Sequence, residues 1–75
     1  MNLAMAPMHV PLEIVKVRKR KGQDEQDQFL ANLGLVTGAK ISVITEVSGN
    51  LIVNVKDSRL ALGKDLALLI NVVEI

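Results

Sequence analysis

Apolar and polar residues alternate most cleanly over residues 51–56. Leu51, Val53 and Val55 fall on one side and Ile52, Asn54 and Lys56 on the other. A period of two marks a strand with one buried face. Ser48-Gly49-Asn50 just ahead reads as a tight hairpin turn. Residues 39–47 then supply the first arm, with Ile41, Val43 and Thr45 expected on its inner face. Downstream, Asp57-Ser58 predicts another turn, and residues 59–62 a short strand with Leu60 and Leu62 inward. Gly63 ends that strand, Lys64–Ala67 suits one helical turn, and residues 68–75 read as the closing strand. Residues 12–19 read as the first strand. Ile14 and Val15 are neighbours there, so the pattern leaves open which face is buried, and a bulge would reconcile the two.

The period changes between the first two strands. Gly22 marks a turn, and Asp24 suits a helix N-cap, with Glu25 and Asp27 favouring the positive end of the helix dipole. Phe29, Leu30 and Leu33 form an apolar stripe at helical spacing. Gly34 stands where a left-handed C′ residue belongs, and Leu35 follows at C″ to pack back on Leu30, a Schellman close. Thr37-Gly38 is the turn into the next strand. The expected fold is mostly β: a small barrel of five to six strands with one short helix after the first strand. Residues 1–8 read as a loose lead-in with an edge pairing near Leu3, and residues 9–75 as the domain. Pro7 and Pro11 suit an edge position.

A chain of 75 residues holds one domain. Its residues are 49% hydrophobic and 23% charged. That balance is too apolar for disorder. The absence of cysteine favours a reducing, cytoplasmic setting and removes thiolate zinc sites. No leader pattern is visible over residues 1–8. No window reaches the roughly 20 apolar residues of a membrane-spanning helix.

Candidate chemistry is sparse. His9, the one histidine, has no nucleophile near it in sequence and reads as a surface residue. On an extended strand His9 and Glu13 would point the same way, but two ligands alone make a weak metal site. Met1, Met5 and Met8 read as an apolar terminus rather than a soft-metal site. None of the phosphate-cradling glycine spacings occurs. No catalytic, cofactor or metal residues are therefore expected. The net charge of +1 gives little pull on nucleic acid, yet Lys16, Arg18, Lys19, Arg20 and Lys21 crowd one segment. That run reads as a solvated loop, a patch for a protein partner, or a nucleic-acid contact. The chain has no Tyr or Trp on which bases could stack. The expected contact residues are Lys19, Arg20, Lys21, Phe29 and Leu30. Gly34, Gly38, Gly49 and Gly63 are expected to be structural turn residues.

In order and spacing, several segments resemble the FeoA domain family. Phe29-Leu30-Ala31-Asn32-Leu33-Gly34-Leu35 resembles the family's Leu-x-x-Leu-Gly helix end, and Thr37-Gly38-Ala39 the turn that follows. Gly49-Asn50-Leu51-Ile52-Val53 resembles the second hairpin, Asp57-Ser58-Arg59-Leu60-Ala61-Leu62 the short strand after it, and Ala67 with Ile70, Val72 and Val73 the close. Phe29 departs from the pattern, since many members carry a basic residue there. The resemblance implies an SH3-like barrel and a non-catalytic cytoplasmic accessory of bacterial ferrous iron uptake. It also implies a partner, the cytoplasmic part of FeoB, a membrane GTP-dependent iron transporter. The same domain occurs in metal-dependent repressors related to the diphtheria toxin repressor, joined there to a DNA-binding domain. Two rival functions remain: a small-barrel nucleic-acid binder, and a chaperone or sensor that binds ferrous iron directly.

Overall fold

The computed structural model describes residues 1–18 and 26–75, without the side chains of Gln26 and Asp27. Among them are five strands: β1 (Leu12–Val17), β2 (Lys40–Val47), β3 (Asn50–Val55), β4 (Ser58–Gly63) and β5 (Ile70–Glu74). Helix α1 (Gln26–Asn32) lies between β1 and β2, and the single turn α2 (Lys64–Ala67) between β4 and β5. The strands form one antiparallel sheet in the order β4-β3-β2-β1-β5. The Cα radius of gyration is 11.2 Å. A chain this short has a radius of about 11 Å when all of it folds as one body.

The inner face follows the alternation. Leu12 and Ile14 of β1, Ile41 and Val43 of β2, and Leu51, Val53 and Val55 of β3 are buried, with Leu62, Ile70 and Val72 from the other strands. Fully burying each such side chain contributes about 1.5–3 kcal/mol. A core of this kind is what stabilises a domain with no disulfides. Bulges break the register twice. In β1 the shift falls between Ile14 and Lys16; Leu12 and Ile14 face the core and Val15 faces solvent, which decides a face that the adjacent apolar pair left open. In β2 the shift falls between Val43 and Thr45. That bulge sends Thr45 to the exposed face opposite Ile52, so Thr45 does not share the inner face with Ile41 and Val43.

Both short hairpins are two-residue turns. Ser48 and Gly49 have φ of 51° and 82°, and Lys56 and Asp57 have 49° and 64°. Two successive positive φ values are what a type I′ connection needs to match the twist of the flanking strands. The second turn therefore sits at Lys56-Asp57, one residue before the expected position, and Ser58 already pairs with Val55. β5 begins at Ile70 rather than Leu68, because Leu68 and Leu69 complete the turn of α2 through bonds to Lys64 and Leu66.

The N-terminal stretch is not a loose lead-in. Leu3 is fully buried, within a 3-10 turn over Leu3–Met5 that Asn2 caps by accepting from the Met5 N–H at 3.1 Å. Asn2 bridges Asn71 antiparallel, and the Val72 N–H donates to the Met1 carbonyl at 2.8 Å. The stretch thus extends the sheet along the outer edge of β5. A leucine in a run of Met and Ala without alternation gives no periodic signal; Leu3 packs where the stretch meets β5 and α2.

Candidate functional site

α1 closes as its sequence predicts. The Leu35 N–H donates to the Leu30 carbonyl and the Gly34 N–H to the Ala31 carbonyl, both at 2.9 Å, with Gly34 at φ 86°. This is the Schellman bond pair, and it rotates α1 so that Leu30 and Leu35 are both buried against the sheet. A Cβ on Gly34 would lie 3.2 Å from Val55 Cγ1, so the close approach also favours glycine.

That rotation sorts the expected contact residues. Phe29 is 54% exposed, whereas Leu30 is 1% exposed. Leu30 is a core residue and not part of a contact surface, a correction that follows from the pairing that closes the helix. Phe29 instead shares the outward side of α1 with Gln28 and Asn32, which are joined by a hydrogen bond of 3.1 Å at i, i+4. Lys19, Arg20 and Lys21 lie outside the described residues, as do the expected cap Asp24 and Glu25. Arg18, at the start of that segment, is held to the chain after α2. Its backbone N–H donates to the Leu69 carbonyl at 2.8 Å and its guanidinium to the Leu68 carbonyl at 2.7 Å.

The expected turn glycines divide. Gly34, Gly38 and Gly49 all have positive φ. Gly63 has φ −65° and is the last residue of β4, so its backbone does not require glycine. A Cβ there would lie 2.7 Å from Asp65 Oδ1, so it is the room beside the backbone that is used.

Nothing in the sequence points to a shallow groove of about 490 Å³ lined by His9, Lys40, Asn54, Lys56, Asp57 and Ile75 among others. His9 is not on an extended strand. It has φ 61°, and its N–H donates to the Val43 carbonyl at 2.7 Å, where Met8 bridges β2. The period-two argument that aligned His9 with Glu13 therefore fails. The groove mixes cations, a carboxylate and an imidazole. Among the described residues no group of three or more metal-ligating side chains converges. Nor is any described helix long and apolar enough to cross a membrane.

The fold has close counterparts. A crystallised iron uptake regulatory protein, FeoA, superposes with a TM-score of 0.86 at 25% identity, covering 100% of this chain and 97% of that one. A FeoA from Stenotrophomonas maltophilia, solved with zinc and described as a procaryotic SH3 domain protein, gives a TM-score of 0.84 at 25% identity, covering 97% of this chain and 89% of that one. A manganese-dependent transcriptional repressor matches in fold alone, with a TM-score of 0.84 at 15% identity, over 100% of this chain and 36% of that one. No match to a curated protein was found. The sheet is thus of the SH3-like kind, and the FeoA domain model matches residues 1–74. The chain belongs to the FeoA domain family, which is linked to ferrous iron transport.

Proposed function

We propose that this protein is a non-catalytic accessory of ferrous iron uptake that acts in the cytoplasm by binding the cytoplasmic part of a FeoB-type transporter. The observation that carries the reading is the family match over nearly the whole chain, joined to one exposed aromatic on the outward side of α1. Aromatic anchors are enriched where protein partners bind most tightly, and Phe29 is the chain's only one. The basic run Lys19, Arg20 and Lys21 precedes α1 in sequence and would add attraction to an acidic partner surface. The reading assigns no substrate, cofactor or catalytic group to the domain.

A pull-down with the transporter's isolated cytoplasmic domain tests it. The wild-type chain is expected to be retained. Phe29→Ser combined with Lys19→Glu and Arg20→Glu is expected to weaken retention at least about tenfold, as loss of an interface anchor does. Phe29→Ser alone is expected to leave the thermal midpoint nearly unchanged, since the ring is largely solvent-exposed. Retention unaffected by the triple change would overturn the surface, and no retention of the wild type would overturn the partner.

A further inference from the structure

β4 has β3 as its one strand neighbour among the described residues, and the two-residue turn before it fixes which way each backbone group faces. Val55 and Ser58 close the turn, so Ser58, Leu60 and Leu62 exchange bonds with β3. The N–H and C=O groups of Arg59 and Ala61 and the N–H of Gly63 alternate to the outer edge, while the Gly63 carbonyl, as N-cap, serves the first turn of α2. No hydrogen bond reaches Arg59 or Ala61 on that side among the described residues.

The side chains of Arg59 and Ala61 share the outward face of the sheet, and the third position on that face is Gly63. Where a Gly63 side chain would stand, the Asp65 carboxylate lies instead, its Oδ1 2.7 Å from the Cβ position. The edge thus carries a cation at one end, a methyl in the middle and an anion over the other end.

We propose that the β4 edge pairs with the β4 edge of a second copy of this chain, antiparallel about a two-fold axis through Ala61. Ala61 then faces Ala61 of the second copy, and Arg59 faces Gly63 of the second copy. Edge-facing groups meet edge-facing groups, giving up to about four backbone hydrogen bonds, since each Gly63 carbonyl serves its own α2. Each Arg59 guanidinium meets the carboxylate that stands over the opposite Gly63, so the charge contact forms twice. Asp65 also interacts within its own chain. A carboxylate has about four acceptor sites to share. Charge selects this register. Centring on Leu60 leaves Gly63 and its carboxylate outside the pairing, and centring on Arg59 opposes like charges. An extended strand from another protein fits the same backbone groups. The two-fold charge match, however, is a property of this chain paired with itself. The contact is far smaller than the roughly 1,200 Å² of a standard stable interface, so the dimer is weak and exchanges rapidly.

An NMR dilution series from millimolar to micromolar protein, with sedimentation equilibrium alongside, tests the pairing. Expected are concentration-dependent shifts centred on the Arg59, Ala61 and Gly63 amides and an average mass that rises toward the dimer. Ala61→Pro deletes the central edge donor without removing a bond within the monomer, and is expected to abolish association. Arg59→Glu and Asp65→Lys are each expected to weaken association at least about tenfold, and the double variant to recover it to within about threefold. The double variant keeps the test decisive if Ala61→Pro fails to fold. A monomer at every concentration would overturn the proposal. So would a dimer whose shifts lie off β4, a double variant no better than its parents, or shifts of β4 produced only by an added strand peptide.

Discussion

The two edges of the sheet are finished differently. Along β5 the chain's own start lies against the edge: the Val72 N–H donates to the Met1 carbonyl, Asn2 bridges Asn71, and Leu3 drives the stretch home by filling the core beside α2. Along β4 the corresponding groups of Arg59 and Ala61 have no such cover among the described residues. Folded proteins manage free edges by capping, charging or shortening them, because an open row of N–H and C=O groups invites another strand. Here one edge is closed by covalent continuity, which is always in place. The other carries a single cation and, among the described residues, pairs with no further strand. In the proposed dimer one side is thus sealed against misassembly and the other is used for association.

Breaking the covered edge should cost most. Leu3→Ala removes a fully buried side chain whose packing holds the stretch on β5. It is expected to lower unfolding free energy by about 2–4 kcal/mol in a denaturant titration. It should also raise aggregation, by uncovering the β5 edge. Asn2→Ala deletes only the cap on the Met5 N–H. That change should cost about 0.5–1 kcal/mol in the same titration. Ala61→Pro on the open edge should change monomer stability by no more than about 0.5 kcal/mol, because the deleted donor has no partner within the described chain. A smaller term still is the Lys64–Glu46 ion pair beside α2, 3.2 Å long between half-exposed side chains. Glu46→Ala should lower stability by less than about 0.5 kcal/mol, and by less again at high salt.

The covered edge was the less legible of the two in the sequence. β3 and the close of α1 could be read residue by residue, since strict alternation and a Leu-Gly-Leu helix end each admit one arrangement. The β1 bulge was suggested by Ile14 and Val15 standing side by side, but the pair did not fix which of them is buried. Val43 and Ile44 carry the same signal in β2, and it accounts for the flip of Thr45 out of the core. Leu30 was decipherable too, because the Schellman contact with Leu35 fixes its direction and leaves Phe29 outside. Leu3 was not. An apolar residue outside any periodic run is placed by the space the rest of the fold leaves, and local propensity does not encode that. The groove around His9 was illegible for a similar reason, since it joins residues from both termini and three strands. The contact residues rest on charge and exposure, which sequence indicates only as a solvated run; Phe29 has a described place on the surface, and the basic segment lies beyond the described residues.

Native-state hydrogen exchange, on protein dilute enough to be monomeric, measures the contrast between the edges directly. The Val72 amide is bonded to Met1 and packed beneath Leu3. It should exchange at least about a hundredfold more slowly than the Arg59 and Ala61 amides, which should exchange near the rate of open chain. Comparable rates at the two edges, or slow exchange at Ala61 with fast exchange at Val72, would contradict the account.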